Sequence, residues 1–436
     1  RLSALLCRPT VAVRRGGWGP GHRRARGSGR PDGQRHPPAQ PLLNDTRFAT
    51  LGLWSLSLAY FSMGTASIAV VGLIHAMAVS LAVSKPAIAG LVTVFALTFA
   101  VTAPLLQVAT GRLPRRTLLL VGLHTMAIGC LATAWAPSYE WMVAARVLTA
   151  LGACAVGPVA SSLGAGLVKP ERQGHALAVV FSGMTFATVF GLPMATWLGG
   201  LLGWRWTFVG LAALIAAIAF TIQWLVSDRR PAPAVTLGSF LQVFRHGATA
   251  WAVAMAGCYM AAQFSLYALV SPFLQERFGV STDQLSLAFL LAGLASVIGN
   301  LMAGRFGDRL GAARTLAGTM IGLAGAFLLV LVLPTRDWVG IAAFAGWSMI
   351  GMAFYAPQQK RLVGLAPELR NLLLAMNSSA LYIGMSLGAA ASSHAYRTAG
   401  AWPLPLVGVG FLVLALCAFA LSRRAELRDA RAALSA

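Results

Sequence analysis

A charged residue lies deep inside one of the apolar stretches of this sequence. Arg146 stands seven residues after Tyr139 in the apolar run 139–168, and seven residues span about 10 Å of helix. At that depth in a bilayer a charge is costly unless the side chain faces protein or water. We predict a functional role for Arg146; the alternative is that its side chain extends to the nearer membrane surface.

Groups that could carry a proton across a membrane form a second set of candidates. Such a group is usually a carboxylate, because burial raises its pKa toward the working range. The apolar runs offer no obvious one: Asp45 lies at the entrance of the first run, and Glu140 and Glu276 lie near the ends of runs. Imidazole titrates near neutrality, so three histidines are proton-carrying candidates, each with helix packing as its alternative role. They are His75, His124 and His394.

Sequence patterns typical of enzymes and metal sites are missing. The sequence has no Ser-His-Asp constellation, no His-rich metal motif and no phosphate-binding Gly-Lys loop. Four of the five cysteines lie inside apolar runs and Cys7 lies in a basic segment, so no metal or disulfide spacing arises. We therefore predict that the chain is not an enzyme and binds no metal or cofactor.

The composition indicates which solvent surrounds this chain. Hydrophobic residues make up 57% of the 436 residues and charged residues only 11%, whereas soluble domains carry about 25% charged residues. A membrane-spanning helix needs about 20 mainly apolar residues, and the sequence holds twelve such runs. They lie near residues 48–79, 87–109, 117–136, 139–168, 174–202, 206–226, 248–274, 285–304, 313–333, 338–357, 371–396 and 401–421.

The positive charge of the chain has two interpretations. A formal net charge of +22 raises nucleic acid as a partner, because clustered Lys and Arg neutralise phosphates. The basic residues concentrate instead in the N-terminal segment 1–40 and in every second short connection between apolar runs. Cytoplasmic connections retain positive charge, so we predict a role in topology and no nucleic acid. The pattern places both termini in the cytoplasm, in a multi-pass protein of the inner (plasma) membrane.

The chain also repeats itself at a constant offset. The segment 170–172 recurs at 367–370, and Gly191 recurs as Gly388 at the same offset. Such duplication is expected of a protein whose two halves move about a central site. We predict an all-α membrane fold of twelve transmembrane helices in two six-helix bundles related by a pseudo-two-fold axis. The predicted divisions are a basic disordered tail (1–46), two bundles (47–226 and 248–422), a cytoplasmic linker (227–247) and a cytoplasmic tail (423–436).

The connection after the eighth run carries a recognisable motif, and it reads Gly304-Arg305-Phe306-Gly307-Asp308-Arg309-Leu310-Gly311. It resembles the signature loop of the major facilitator superfamily. In such a loop glycine permits close approach of helices, the aspartate caps or pairs with a neighbouring helix end, and the basic residues face anionic lipid. The resemblance implies coupling or gating roles for Gly304, Asp308, Arg309 and Gly311.

Three further segments narrow the resemblance. The equivalent connection of the first half, residues 110–116, is basic but lacks the aspartate. The segment around Arg146 is similar to the family's fourth-helix motif. The fifth-helix antiporter motif is resembled by Gly191-Leu192-Pro193, although one residue separates the glycine from the proline here. Together they are similar to the twelve-helix drug:proton antiporter branch, and more narrowly to arabinose- and purine-nucleoside-efflux-like permeases. Ser67 stands where that family has an acidic residue. The resemblance implies coupling or gating roles for Arg115, Arg116, Arg146, Gly191 and Pro193.

Polar and aromatic side chains on the helices that line the family's cavity are candidates for substrate contact. Apolar walls with a few hydrogen-bonding groups suit a small amphiphilic or neutral polar molecule. Packing and interhelical hydrogen bonding are their alternative roles. The candidates are Tyr60, Tyr259, Gln263, Trp347, Asn377 and Tyr382.

The resemblance implies a secondary transporter. We predict proton-driven efflux of a sugar, nucleoside or drug-like molecule by alternating access, with the proton gradient as energy source and no cofactor. Import or facilitated diffusion is the alternative, favoured by the missing membrane carboxylate. We expect a monomer in the lipid bilayer, with a small-molecule substrate as its partner.

Overall fold

The computed structural model describes residues 46–109, 113–169, 172–226, 247–366 and 370–435. Each secondary-structure element in these ranges is a helix, which confirms the predicted all-α fold. A five-residue π-helical turn, Ala187–Gly191, joins α5 to α6. The α-helices are α1 (Thr46–Ser80), α2 (Lys85–Ala109), α3 (Arg115–Ala134), α4 (Tyr139–Gly166), α5 (Gln173–Phe186), α6 (Leu192–Leu202), α7 (Trp204–Leu225), α8 (Gly247–Tyr267), α9 (Val270–Phe278), α10 (Thr282–Arg309), α11 (Ala312–Val332), α12 (Asp337–Met352), α13 (Tyr355–Leu365), α14 (Arg370–Ala399) and α15 (Leu404–Ser435).

These helices form twelve membrane spans in the described part of the chain. Eleven segments are long and apolar enough to cross a bilayer by themselves, with α5–α6 and α12–α13 each counted as one. The twelfth is the pair α8 and α9, which bend by 49° at their junction. The predicted number of spans is therefore confirmed, and the chain is a multi-pass membrane protein.

The surface of the helical assembly fits a lipid environment. Large apolar side chains are exposed along nearly every helix, as contact with lipid requires. Exposed tryptophans lie toward helix ends on both sides of the assembly, and Trp is enriched where lipid meets water. We call one side the Lys85 end, after the first residue of α2, and the opposite side the Asp308 end. The exposed tryptophans at the Lys85 end include Trp135, Trp141, Trp206, Trp338 and Trp402, and those toward the Asp308 end include Trp54, Trp224 and Trp251.

Three spans are interrupted, and a proline follows each interruption. Proline has no N–H to donate, and its ring clashes with the carbonyl four residues earlier. The hydrogen-bond ladder therefore opens one turn before the proline. Pro193 follows the π-helical turn, Pro272 follows the break between α8 and α9, and Pro357 follows the break between α12 and α13.

The internal repeat is visible in the positions of the helices. We call α1–α7 the N-terminal spans and α8–α15 the C-terminal spans. Gly203 and Gly400, separated by the same offset as Gly191 and Gly388, both adopt a left-handed backbone (φ 87° and 73°) that glycine tolerates at a helix boundary. Three pairs of helices also begin one such offset apart, and they are α2 and α10 (Lys85, Thr282), α3 and α11 (Arg115, Ala312), and α5 and α14 (Gln173, Arg370).

Some predicted divisions lie outside the described residues. The basic tail 1–46 and the linker 227–247 fall almost wholly outside them, and the bundle boundaries stay a prediction. The predicted C-terminal tail 423–436 is helical as far as Ser435, because α15 continues to that residue, and its cytoplasmic location stays a prediction. Strong helix formers such as Ala, Leu, Arg and Glu extend the helix beyond its apolar part. An Arg423–Glu426 ion pair of 2.9 Å one turn apart supports the extension.

Candidate functional site

Arg146 projects from α4 into the interior of the N-terminal spans and is fully buried. Its two terminal nitrogens donate to backbone oxygens of α1, Nη1 to Ala66 (2.8 Å) and Nη2 to Ser67 (2.9 Å). Its guanidinium carbon lies 4.8 Å from the ring centroid of Phe95 on α2, within the range of a cation–π interaction. The side chain thus joins three helices and does not extend to a membrane surface.

Ser67 explains why Arg146 bonds to backbone. The antiporter branch that the sequence resembles has an acidic residue at this position. Here the Ser67 hydroxyl donates to the Gly64 carbonyl of its own helix (2.7 Å). Only the main-chain oxygen of Ser67 meets the guanidinium. The charge of Arg146 is therefore stabilised by carbonyl dipoles and an aromatic ring, and not by an ion pair.

The signature loop places Asp308 at the end of α10. Its carboxylate accepts a hydrogen bond from Lys360 Nζ on α13 at 2.6 Å, and both side chains are exposed. Arg309 is exposed beside it, Gly304 is half-buried, and Gly311 begins α11 with φ 85°. The loop thus connects the ends of two C-terminal spans.

In the equivalent loop of the N-terminal spans, a basic side chain bonds to a backbone carbonyl and not to a carboxylate. Residues 110–112 lie outside the described ranges, whereas Arg115 and Arg116 are half-buried at the start of α3. The Arg116 guanidinium donates to the Gln223 carbonyl at the end of α7. The last carbonyls of a helix carry partial negative charge, so they can replace the missing aspartate as partners.

Gly191 and Pro193 lie where the fifth span packs against α1. A Cβ at Gly191 would overlap the Thr65 hydroxyl, and one at Gly183 would overlap the Ser57 carbonyl. Both positions therefore need glycine for the helices to approach this closely. Pro193 is buried and follows the π-helical turn, so the motif sets both the spacing and the path of this span.

Three of the six predicted binding residues hold helices together by hydrogen bonds. Tyr60 on α1 donates to the Gly157 carbonyl of α4 (3.0 Å). Asn377 on α14 accepts from Gln358 Nε2 on α13 (3.2 Å). Tyr259 on α8 donates to the Gly351 carbonyl of α12 (2.6 Å) and stacks on Phe354 with ring centroids 3.8 Å apart.

Gln263 and Trp347 differ from these three because each keeps an unpaired polar atom. Gln263 is 7% exposed and Trp347 is 6% exposed. Gln263 Oε1 and Trp347 Nε1 have no hydrogen-bond partner among the described residues. Tyr382, the sixth candidate, stacks on Phe99 of α2 at 3.8 Å and so joins the C-terminal to the N-terminal spans.

The three histidines lie apart from these groups. His75, His124 and His394 are all exposed, and a ring nitrogen of His124 lies 2.7 Å from the Leu120 carbonyl of its own helix. The structure does not bring them to Arg146 or to the binding candidates. Their proton-carrying role stays a prediction. Among the described residues, no cluster of three or more His, Cys, Asp or Glu side chains could hold a metal ion.

Sequence reasoning missed a set of contacts between the two groups of spans at the Lys85 end. Lys85 Nζ lies 2.9 Å from Glu276 Oε1, and the Tyr396 hydroxyl donates to the same carboxylate. Nearby, the Ser271 hydroxyl donates to the Val71 carbonyl (2.7 Å). Opposite charges on equivalent connections of the two halves were the available signal for the ion pair.

Comparisons with known proteins agree on one family. The chain matches the Major Facilitator Superfamily over residues 56–358 and 251–434. It is 28% identical to the inner membrane transport protein YdhP of Escherichia coli (strain K12) over 379 residues, which are 86% of this chain and 96% of that protein. It is 30% identical to a chloramphenicol resistance protein of Streptomyces lividans over 299 residues, which are 68% of this chain and 73% of that protein.

Solved structures share the fold at low sequence identity. A bacterial homolog of the human lysosomal transporter Spinster, in an inward-facing and unoccupied conformation, has a TM-score of 0.74 at 17% identity, covering 88% of this chain and 98% of that one. A D-xylose–proton symporter has a TM-score of 0.70 at 14% identity, covering 84% and 97%.

Proposed function

The chain belongs to the Major Facilitator Superfamily, and from that premise we propose that it exports a small uncharged molecule in exchange for protons by alternating access. Membership makes it a secondary transporter of the membrane and not an enzyme. Export is supported by the glycine-dependent seam between α1 and the fifth span, whose motif resembles that of drug:proton antiporters. The chloramphenicol resistance protein among its relatives supports the same direction.

The proposal includes an orientation in the inner membrane. Basic residues lie at the Asp308 end, and cytoplasmic surfaces of membrane proteins retain Lys and Arg. We therefore place the Asp308 end and both termini in the cytoplasm, and the Lys85 end outside. The contacts of Lys85 and Ser271 then close the transporter to the outside, so the structure represents an inward-facing or occluded state. We propose that the transporter acts as a monomer.

The observation that carries the mechanism is the burial of Arg146. A guanidinium that joins α1, α2 and α4 ties the N-terminal spans into a unit that can move as one body against the C-terminal spans. Substrate would bind between the two groups, near Tyr60 of the N-terminal spans and Tyr382 of the C-terminal spans. His75, His124 and His394 stay the proton-carrying candidates.

Transport in vesicles tests the proposal. Purified protein is reconstituted in liposomes with an imposed pH gradient and offered chloramphenicol, adenosine and arabinose separately. We expect gradient-dependent movement of at least one compound, abolished by an uncoupler. A transporter that moves none of them contradicts the proposal, and equal movement with and without the uncoupler favours facilitated diffusion.

Facilitated diffusion or import is the second candidate, and one observation favours it. Among the described residues, the buried charged side chains are Arg146 and Arg361, and no carboxylate is buried. A transporter without a buried proton acceptor could move an uncharged substrate down its own gradient. The uncoupler experiment separates the two candidates.

A further inference from the structure

One turn of α13 holds neighbouring helices of the C-terminal spans at the Asp308 end. Gln358 Nε2 donates to the Ala252 carbonyl of α8 (2.9 Å) and to Asn377 Oδ1 of α14 (3.2 Å). Lys360, two residues later, donates from Nζ to Asp308 Oδ1 of α10 (2.6 Å). Residues 358–361 span about one helical turn, and we call them the α13 hub. The hub attaches α13 to α8, α10 and α14.

The last residue of the hub, Arg361, carries a buried charge. It is 7% exposed, and its Nη2 donates to the Ser422 hydroxyl (2.7 Å) and to Glu426 Oε2 (3.2 Å) of α15. Its guanidinium carbon lies 5.3 Å from the ring centroid of Phe419, which is also on α15. The Ser422 hydroxyl donates in turn to the Ala248 carbonyl of α8 (2.6 Å). Arg361 therefore attaches the hub to α15 directly and to α8 through one hydroxyl group.

A single nitrogen of Arg361 makes these hydrogen bonds. Its Nε and Nη1 have no hydrogen-bond partner among the described residues, and Glu426 is the carboxylate that pairs with the guanidinium there. Glu426 belongs to residues 423–435, the helical part of α15 that follows the last apolar run, and we call this part the α15 extension. Removing the partner of a buried charge is strongly destabilising, because nothing then offsets the desolvation of that charge. The α15 extension thus supplies the counter-ion for a charge inside the C-terminal spans.

We propose that Arg361 is a positioning residue of the transporter, which joins the α15 extension to the α13 hub so that the C-terminal spans move as one body. It corresponds in this role to Arg146, which joins α1, α2 and α4 of the N-terminal spans. Arg361 acts through Glu426 and Ser422 and does not contact the substrate. The α15 extension is then needed for transport although it follows the last apolar run. This inference rests on the proposed function and names the junction that alternating access uses in the C-terminal spans.

Two substitutions of Arg361 separate its charge from the bulk of its side chain. Arg361→Lys keeps a cation whose single nitrogen can donate to Ser422 and Glu426, as Nη2 alone does in the wild type. Arg361→Met has a similar length and no charge. In the vesicle assay with chloramphenicol, adenosine and arabinose, we expect Arg361→Met to transport about tenfold more slowly than the wild type. Arg361→Lys should stay within about threefold of the wild type. Glu426→Gln, which keeps an oxygen for the guanidinium but no charge, should transport about threefold more slowly.

A second measurement needs no substrate. Spin labels at Leu301 on α10 and at Arg428 in the α15 extension, both exposed, report on a cysteine-free background how firmly the extension is held. The wild type and Arg361→Lys should give one narrow distance distribution, and Arg361→Met and Glu426→Gln a broader one. Arg424→Gln is the matched control, because Arg424 is exposed in the same extension and forms no ion pair among the described residues. It should match the wild type in both measurements.

The outcomes keep failures of the junction and of the proposed function apart. Thermal unfolding confirms that each variant is folded, and Glu426→Gln decides alone if Arg361→Met does not fold. Wild-type transport or a wild-type distance distribution in the decisive variant overturns the inference, and so does a loss as severe in Arg361→Lys as in Arg361→Met. If the wild type moves no compound but the decisive variant broadens the distribution, the proposed function fails and the junction stands. If the wild type transports and the decisive variant changes nothing, the junction fails and the proposed function stands.

Discussion

The ion pair between Lys85 and Glu276 gives the most direct test of how the closed state is held. Among the described residues it is the salt bridge that joins the N-terminal to the C-terminal spans, at 2.9 Å. Glu276→Gln removes the charge and keeps an oxygen for the Tyr396 hydroxyl, so this variant isolates the electrostatic part. Lys85→Met removes the other partner. We expect both variants to favour opening at the Lys85 end.

The exposure of the pair sets the size of the effect. The Lys85 and Glu276 side chains are 29% and 39% exposed, and exposed ion pairs contribute about 0.2–1 kcal/mol. That energy shifts the ratio of open to closed molecules about 1.4- to fivefold. The double variant should shift it no further than either single variant, because one interaction is lost in all three. High salt should shrink the difference, since it screens exposed charges.

Spin-label distance measurements give the populations. Labels at Trp135 and Trp338, which are exposed at the Lys85 end of the N-terminal and C-terminal spans, report the separation on a cysteine-free background. Asp283→Asn is the matched control, because Asp283 is exposed at the start of α10 and forms no ion pair among the described residues. Unchanged populations in both single variants, or additive shifts in the double variant, would refute the reasoning.

Three further predictions follow from the site. Arg146→Ala should abolish transport in vesicles while membrane insertion stays normal. Arg146→Lys should also abolish transport, because an ammonium group cannot donate to two carbonyl oxygens with the planar geometry of a guanidinium. Wild-type transport rates in either variant would contradict the role of Arg146. Asp308→Asn should slow the change between inward- and outward-facing states more than it weakens substrate binding. The transport rate and the substrate affinity are measured separately, and a loss of affinity alone would argue against a gating role. Gly183→Val should lower thermal stability by about 1–3 kcal/mol, because its Cβ would overlap the Ser57 carbonyl. Gly200→Ala, where a Cβ meets open space, should leave the melting temperature nearly unchanged.

Much of the fold follows from the sequence because the bilayer leaves few solutions. A span must satisfy its own backbone hydrogen bonds, so apolar runs of sufficient length become helices. The constant offset between repeated segments reappears in the starts of α2 and α10. The end of α15 was less predictable, because hydropathy falls at Arg423 while helix propensity stays high. A run of apolar residues indicates which part of a helix lies in the membrane, and it does not indicate where the helix ends.

The site was predictable in its residues but not in their partners. Sequence position indicated that Arg146 is buried, yet its bonds to Ala66 and Ser67 involve backbone oxygens, which leave no side-chain signature. The contact of Lys85 with Glu276 joins residues far apart in the chain, and it can be recognised only once the two groups of spans are placed together. The sequence shows only that Gln263 is polar. Whether its Oε1 lacks a hydrogen-bond partner depends on the residues that pack around it.

The attachment of Arg146 to main-chain oxygens has a consequence for its tolerance of mutation. Replacing the buried Ser67 by alanine leaves both carbonyl groups in place, so the junction does not depend on the hydroxyl at that position. Amide oxygens also do not titrate near neutral pH, which makes the junction indifferent to acidity. The two hydrogen bonds of Arg146 are instead sensitive to the backbone of α1, and unwinding of α1 or a shift by one residue would break them.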